Sequence, residues 1–328
     1  MRTTTFGVLA VAALALSFAC GGGGPAGEPE DAAMTDMSNP AERFAGAWAL
    51  VKRERRGADG ELAEPVSDNR VGYIIYHPSG FMGVTTMEPG REPYSEGGPT
   101  AEEALAQMGS YNSYFGGFSV NAEEGYVTHH LEGAINPSGA GSDYQRFFTF
   151  SDDGNTLTLQ PPPDENGVKS FITWEKLPDL PESALTETHR KLFGFYRLES
   201  LTRATTDGEP IEVDPYQTAF IIYAPSGHMA VHLMRPGRMP YAGDGPTAEE
   251  ALATVLSYGS YFGPFSVNEE GGYLVHNRIG NEDPGQSETN AQRFYELSDT
   301  QLRLQPPVQI DEQGREVQGT IVWNRISD

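Results

Sequence analysis

The amino-acid sequence predicts an all-β protein built from two tandem antiparallel domains, each interrupted by one short helix. Three observations support this prediction. The 328 residues include 38 Gly and 24 Pro, which indicates many turns. Several segments alternate apolar and polar residues, as strands do. The second half of the chain also repeats the first, and such a repeat defines the domain organisation before anything else does.

The repeat has the length of a whole domain. The segment "YIIYHPSGFMGV" at 73–84 matches "FIIYAPSGHMAV" at 220–231, and the offset of 147 holds without a gap over 73–152. More than half of the positions in 73–133 are identical between the copies. Because this period is far too long for a solenoid repeat, we expect domains at 41–177 and 187–328, joined by a linker at 178–186.

The strands follow one another as a meander. "WALVKRE" alternates, and "YIIYHP" with "GFMGVTTM" forms a hairpin across Pro78, Ser79 and Gly80. "GYVTHHLEG" and "QRFFTF" are further strands, "DDGNTLTLQ" is a hairpin, and "KSFITWEKL" closes the copy. We expect a short helical turn before the first strand of each copy, capped by Asn39-Pro40 and by Ser183 or Thr186.

The helical insert is repeated almost verbatim. "GPTAEEALAQMGSYNSYFGGFSVN" at 98–121 returns as "GPTAEEALATVLSYGSYFGPFSVN" at 245–268. Thr100 is a good N-cap and Glu103 follows three residues later, which makes a capping box. The helix is therefore predicted to run from Ala101 to about Gly109, followed by an aromatic-rich turn before the next strand.

The N-terminus has the pattern of an export signal. "MRTTTFGVLAVAALALSFAC" at 1–20 carries an early Arg2 and an apolar run too short to span a membrane comfortably. Cys20, the only cysteine, is followed by four glycines and resembles the lipobox of bacterial lipoproteins, although Ser17 stands where that family usually has Leu. This resemblance implies a chain that is exported and lipid-anchored at the cell envelope. The alternative is an ordinary signal peptide with an incidental cysteine.

The composition limits the kinds of partner that the chain can bind. Residues 21–40 are rich in Gly, Ala, Pro and acidic residues, which predicts a flexible tether. The formal net charge of -24, from 22 basic and 46 acidic residues, argues against nucleic-acid binding. On a strand, the two histidines of "HMAVH" at 228–232 would lie about 13 Å apart, too far to share a metal. The sequence has no phosphate loop, dinucleotide fingerprint or serine nucleophile elbow, so we expect no cofactor.

Several motifs together resemble the bacterial lipocalin-like domain family, and they cover nearly all of both copies. The first copy carries them at Gly46, Trp48, Leu50, Tyr76, Gly80, Met82, Gly90, Arg91, 102–104, Val127, His129, His130 and Arg146. The second carries them at Gly194, Tyr196, Leu198, Tyr223, Gly227, Met229, 235–238, 249–251, His276 and Arg293. The resemblance implies a calyx-like barrel in each copy and no particular substrate. Tyr196 replaces the tryptophan and Asn277 the second histidine, which puts in doubt any mechanism that needs a histidine pair in both copies.

Equivalent polar residues inside the barrels are the candidate site. His129 shares a strand face with Val127 and Leu131 and is expected to point inward, as its counterpart His276 does. Each histidine could transfer protons or serve as a structural hydrogen-bonding group. Arg146 and Arg293 could bind a ligand carboxylate.

A structural role for the two arginines is favoured here, in which they stack over the first-strand aromatics Trp48 and Tyr196. Tyrosines could line a cavity mouth or belong to the core, namely Tyr76, Tyr111, Tyr114, Tyr223, Tyr258 and Tyr261. We expect the insert to lie across a barrel end as a lid or plug, with Tyr111, Tyr114 and Phe115 facing inward.

Three functions fit these features. The first is an envelope-anchored protein that binds a small, mostly apolar molecule in one or both barrels. The second is an enzyme that isomerises, cyclises or hydrolyses a lipophilic molecule, with His129 or His276 as the base. The third is a structural or interaction protein with filled barrels. The binding protein is the preferred interpretation.

Overall fold

A computed structural model of the protein describes residues 39–63 and 69–326. The predicted signal peptide, Cys20 and nearly all of the tether lie outside the described residues. Among the described helices, none is long and apolar enough to cross a membrane.

Residues of the first copy form a closed barrel of eight antiparallel strands in chain order, in which the last strand pairs with the first. The helix α1 (Ala101–Gln107) connects the third and fourth strands and is capped by Thr100 in the predicted capping box. The strands are β1 (Gly46–Arg56), β2 (Val71–His77), β3 (Phe81–Met87), β4 (Tyr111–Asn121), β5 (Tyr126–Ala134), β6 (Asp143–Phe150), β7 (Thr156–Gln160) and β8 (Lys169–Lys176).

The second copy forms an equivalent barrel, closed by pairing of its last long strand with its first. Its helices are α2 (Glu187–Leu192) before the barrel and α3 (Ala248–Leu256) at the position of α1. The barrel strands are β9 (Gly194–Thr205), β11 (Thr218–Tyr223), β12 (His228–Met234), β13 (Tyr258–Asn268), β14 (Tyr273–Arg278), β16 (Thr289–Leu297), β17 (Gln301–Gln305) and β19 (Glu316–Arg325). Short strands at its edges are β10 (Pro210–Ile211), β15 (Gly280–Asn281) and β18 (Gln309–Ile310).

A short helix precedes the first strand of each copy, as the sequence predicts, and it closes one end of the barrel. In barrel 1 the 3₁₀ turn Pro40–Arg43, capped by Asn39, delivers Phe44 into the lumen, where the Trp48 indole donates to the Phe44 carbonyl at 2.8 Å. In barrel 2, α2 is capped by Thr186, and the Tyr196 hydroxyl donates to the Leu192 carbonyl at 2.9 Å. Three more 3₁₀ turns lie in connections, at Pro137–Gly139, Glu182–Ala184 and Pro284–Gln286.

The aromatic segment after α1 is a strand, so its prediction as a turn is wrong. Residues of β4 pair with β3 on one side and β5 on the other, in the middle of the sheet. Over 113–116 both faces of β4 are buried, so this part of the strand lacks the alternation of buried and exposed residues that marks an ordinary antiparallel strand. Tyr114 points into the barrel, whereas Tyr111, Ser113 and Phe115 point out of it.

The outward faces of β2–β4 pack against the same faces of β11–β13, so the two barrels share an apolar contact. Phe115 lies 5.0 Å from Phe220, and Tyr73 lies 5.4 Å from Phe262, measured between ring centroids. At Gly83 a Cβ atom would come within 2.6 Å of the His232 ring, so only glycine fits there without a shift. The copies are therefore one packed unit rather than two separate barrels.

The centre of this contact relates the two copies by an approximate twofold axis. The hydroxyl oxygens of Ser113 and its counterpart Ser260 are 2.9 Å apart. Each serine also contacts the tyrosine of the opposite copy, Tyr258 to Ser113 at 3.0 Å and Tyr111 to Ser260 at 3.0 Å. The "SYxSYF" motif of one barrel thus packs against the same motif of the other barrel.

Two arginines extend this arrangement at the edges of the contact. Arg91 donates to the carbonyls of Asn281 at 2.6 Å and Glu282 at 2.7 Å. Its counterpart Arg238 donates to the equivalent carbonyls of Ala134 and Ile135 in the first barrel. The helices α1 and α3 also lie beside each other. In each copy, the contact between the barrels therefore includes the "PGR" turn, the helix and the aromatic strand.

Candidate ligand cavity of the first barrel

The lumen of barrel 1 holds a cavity of about 460 Å³ beyond the core that Phe44 and Trp48 fill. Its wall is apolar and comes from inward-facing positions of several strands, namely Leu50, Val84, Leu159, Ile172 and Trp174. Polar side chains line the cavity nearer the rim, namely Arg53, Arg70, Thr86, Asn112 and Arg146. A volume in this range, with a mostly apolar wall and a few polar groups, is typical of small-molecule sites.

The roof of this cavity comes in part from the other barrel. The end of α1 supplies Met108 and Gly109, and the loop before α3 supplies Tyr241, Asp244 and Pro246. We expected the insert of each copy to cover its own barrel. The structure shows a shared roof, because the contact between barrels carries the loop of the second copy over the mouth of the first.

Arg146 lies at the cavity with its guanidinium 5.0 Å from the Tyr144 ring centroid, and its Nη1 donates to the Gln145 carbonyl at 2.9 Å. The favoured stacking of Arg146 on Trp48 is therefore wrong. A lysine from the last strand occupies that place, with the Lys176 ammonium 5.4 Å from the Trp48 ring. In barrel 2 the equivalent partner of Tyr196 is Arg325, at 4.7 Å.

His129 lies deeper in the barrel, between two tyrosines. Its Nε2 is 2.8 Å from the Tyr76 hydroxyl and its Nδ1 is 3.1 Å from the Tyr114 hydroxyl. A neutral imidazole has one donor and one acceptor nitrogen, so this pair of hydroxyls satisfies both. Burial lowers the pKa of His129 to about 3, and the charge of Arg146 acts in the same direction.

This network limits what His129 can do. Burial also raises the pKa of both tyrosines, so all three groups are neutral at pH 7. Tyr114 borders the cavity, but His129 is fully buried and is not among the lining residues. The enzyme hypothesis requires the histidine and a tyrosine hydroxyl to converge on one cavity, and this arrangement does not bring them there.

Barrel 2 contains the same arrangement of tyrosines and histidine. His276 lies 2.8 Å from the Tyr223 hydroxyl and 2.9 Å from the Tyr261 hydroxyl, and it is fully buried. Burial lowers its pKa well below the usual 6.5, with Arg293 acting in the same direction. The shared Tyr–His–Tyr network is therefore a structural feature of both barrel interiors.

The structure divides the predicted site residues into three groups. Tyr111, Tyr114 and Arg146 border the barrel 1 cavity, although the Tyr111 hydroxyl is turned towards Ser260. The equivalent Tyr258 lies in the contact between the barrels, with its hydroxyl on Ser113. The remaining candidates belong to the two internal networks, namely Tyr76, His129, Tyr223, Tyr261, His276 and Arg293. Within the described ranges, no group of three or more His, Cys, Asp or Glu side chains could hold a metal ion.

The rims of the two barrels differ even though their interiors agree. Arg53 lies opposite Ile172 in barrel 1, and Leu201 lies opposite Ile321 at the equivalent place in barrel 2. Leucine therefore replaces arginine at this position of barrel 2. Thr86 is likewise replaced by Leu233, Arg70 by Gln217 and Ile135 by Glu282. None of these rim residues was predicted from the sequence as part of a site. They could have been found by looking for inward-facing positions at which the two copies carry different residues.

Two closed eight-stranded barrels, each plugged by a short helix and one holding an internal cavity, define a tandem lipocalin-like β-barrel protein. The chain belongs to the lipocalin-like domain family, which it matches over residues 45–177 and again over 193–326. The predicted resemblance and the predicted all-β tandem fold are confirmed. No curated protein matches the sequence.

Among solved structures, the chain is similar to a protein of unknown function of the DUF3598 family from Nostoc punctiforme PCC 73102. The identity is 11% and the TM-score 0.23, over 88% of this chain and 100% of that one. It is also similar to a mutant of transferrin binding protein B from Haemophilus parasuis Hp5. There the identity is 6% and the TM-score 0.20, over 81% of this chain and 63% of that one.

Proposed function

We propose that this chain is an exported, lipid-anchored protein that holds a small, mostly apolar molecule in the cavity of barrel 1. The observation that carries the proposal is the 460 Å³ cavity with an apolar wall, sited in a barrel whose opposite end is filled by aromatic side chains. Apolar surface on a ligand is removed from water when it enters such a lumen, and this provides the driving force.

The roof supports retention of a ligand in the cavity. Because residues from both barrels border the mouth, a bound molecule would be enclosed by two packed domains rather than by one mobile loop. The arginine contacts from Arg238 to the carbonyls of Ala134 and Ile135 hold this roof in place. Barrel 2 then acts as a scaffold for the site in barrel 1.

Anchoring at the envelope rests on the N-terminal sequence. An apolar segment followed by Cys20 and four glycines supports lipid modification of that cysteine, and the stretch to residue 40 would serve as the tether. Metabolic labelling with a palmitate analogue in a bacterial host tests this part. Label on the wild type that is lost in Cys20→Ser is expected, and equal label on both proteins would contradict it.

Ligand binding is tested by occlusion of each barrel separately. Val84 lines the cavity and Val231 is its counterpart in barrel 2, and both are buried. Val84→Phe and Val231→Phe make the same change at equivalent positions of the two barrels, so each serves as the other's control. Mass spectrometry of molecules extracted from natively purified protein, with titration of an apolar fluorescent probe, provides the readout.

We expect the wild type and Val231→Phe to retain an extractable molecule or to bind the probe, and Val84→Phe to lose both. Thermal unfolding of the two variants shows whether both remain folded. A blank extract together with no probe binding to the wild type would contradict the proposal, as would equal binding by both variants.

A further inference from the structure

Arg146 places a positive charge at the cavity that no carboxylate of the described residues neutralises. Its contacts are the Tyr144 ring, the Gln145 carbonyl and the Tyr114 hydroxyl, and none of them is an Asp or Glu side chain. The guanidinium is half-buried, where water screens its charge less than at an open surface. A charged group in this position is stabilised by an anionic partner.

Other hydrogen-bond donors border the same cavity. The hydroxyl of Tyr114 lies close enough for the charge of Arg146 to influence its pKa, against the dominant effect of burial, which raises it. The Trp174 indole, which also borders the cavity, has an N–H with no acceptor among the described residues. Thr86 and the Asn112 amide can donate as well. An anion accepts from groups of this kind without needing to supply a donor of its own.

Arginines make up most of the charged lining of the cavity. Among the described residues, Arg53, Arg70 and Arg146 border it together with one acidic residue, Asp244, from the loop of barrel 2. Arg70 is paired with Glu88 at 2.6 Å, which offsets its charge at the rim.

We propose that the ligand of barrel 1 is an amphipathic organic acid whose carboxylate binds Arg146 and whose apolar body lies against Leu50, Val84 and Leu159. This inference rests on the proposed function and names the class of molecule that the cavity takes. A planar guanidinium presents paired N–H donors that match the two oxygens of a carboxylate. The apolar wall accounts for the remainder of the molecule.

Barrel 2 provides a built-in contrast. Arg293 is retained there as the counterpart of Arg146. Leucines stand at the positions of Arg53 and Thr86, and Glu282 stands at the position of Ile135. The leucines remove polar groups that would hydrate or bind an anion. We therefore assign the organic acid to barrel 1 alone.

The experiment uses the full mature chain and three probes of equal chain length, namely decanoate, decanol and decylammonium, measured by isothermal titration calorimetry at low salt. Arg146→Gln removes the charge at the cavity, Arg293→Gln makes the matched change in barrel 2, and Arg146→Lys restores the charge without the fork. Circular dichroism and thermal unfolding report whether each variant is folded.

We expect one decanoate per chain, bound at least tenfold more tightly than decanol and decylammonium. Arg146→Gln should lower decanoate affinity at least tenfold and leave decanol within twofold, Arg146→Lys should recover part of the loss, and Arg293→Gln should have less than a twofold effect. Equal affinity for decanoate and decanol, or insensitivity to Arg146→Gln, would overturn this inference and leave the proposed function standing. Absence of binding by all three probes would overturn both.

Discussion

At its centre, the contact between the two barrels uses the same residues from both copies, whereas the two barrel mouths use different ones. Ser113 meets its own counterpart Ser260 at the centre of the contact. At the mouths, Arg53 of barrel 1 corresponds to Leu201 of barrel 2. A surface that packs against its own copy must remain complementary to itself, so a change in one copy has to be accommodated by the other. The mouths face no such constraint, and they are free to differ in chemistry.

The largest effect expected from this contrast involves Glu282, which occupies the position of Ile135. Burial raises the pKa of Glu282 to about 8 from its usual 4.5. Between these values the folded protein holds a proton that the unfolded chain has released, so stability is full below pH 4.5 and falls as the pH rises to 8. Glu282→Gln removes this dependence.

Relative to the wild type, this variant should therefore gain stability with rising pH, on the order of 4–5 kcal/mol between pH 4.5 and 8. Urea unfolding at a series of pH values measures the difference, and Glu270→Gln, which changes an exposed carboxyl group on the turn between β13 and β14, serves as the control. A difference between variant and wild type that stays constant with pH would contradict the burial of an uncompensated carboxyl group.

Next in size are the two phenylalanines that pack in the contact. Phe115 and Phe262 are counterparts, and both are fully buried between the barrels. Truncation of either to alanine should cost about 3–5 kcal/mol in free energy of unfolding, and the two costs should agree to within about 1 kcal/mol. Denaturant unfolding of Phe115→Ala and Phe262→Ala measures both. A small cost for one and a large cost for the other would show that the contact is not symmetric.

A smaller effect comes from a position where the contact itself breaks symmetry. His232 lies opposite Ser113, with its Nδ1 3.0 Å from that hydroxyl, and its counterpart in the first copy is Thr85. Burial lowers the pKa of His232 to about 3 from the usual 6.5. The unfolded chain therefore binds a proton that the folded protein does not, and stability is lost as the pH falls from 6.5 towards 3.

At pH 5 this amounts to about 2 kcal/mol. His232→Gln should thus lose less stability than the wild type between pH 7 and pH 5, by about that amount. Thermal unfolding at the two pH values measures the change. Ser260→Ala, which removes a polar group of the same contact that does not titrate in this range, is the control and should show the pH dependence of the wild type.

The fold was largely predictable because its signals are local. Turns at Gly80, the capping box of Thr100 and Glu103, and the alternating strands each depend on residues close in sequence. Strand β4 escaped prediction because both of its faces are buried, one in the lumen and one in the contact between barrels. The packing of one copy against the other involves residues about 147 positions apart, and nothing in either copy alone indicates it.

The site was predictable only in part, for the same reason. Alternation along a strand predicts that His129 points into the barrel, but the partners of His129 and Arg146 depend on the register of neighbouring strands. Arg146 accordingly contacts Tyr144 on its own strand, while Lys176 from the closing strand reaches Trp48. The roof over the cavity comes from the second copy, so a single copy of the sequence could not have revealed it.

The smallest expected effect is at the rim. Arg53→Leu with Thr86→Leu gives the mouth of barrel 1 the residues found in barrel 2. A charge near the surface contributes about 0.5–1 kcal/mol, so decanoate affinity should fall about two- to fivefold, with stability unchanged within about 0.5 kcal/mol. Titration calorimetry and denaturant unfolding of the same preparations measure the two quantities. A loss of stability larger than the loss of affinity would assign these residues to the fold instead.

The central claim is that barrel 1 holds an organic acid and barrel 2 does not. Crystals of the mature chain grown with 10-bromodecanoate test it most directly, because bromine is located by its anomalous scattering. We expect one bromine peak per chain in the barrel 1 cavity, with carboxylate density on the Arg146 guanidinium. A peak in barrel 2, or a carboxylate in barrel 1 directed away from Arg146, would contradict it.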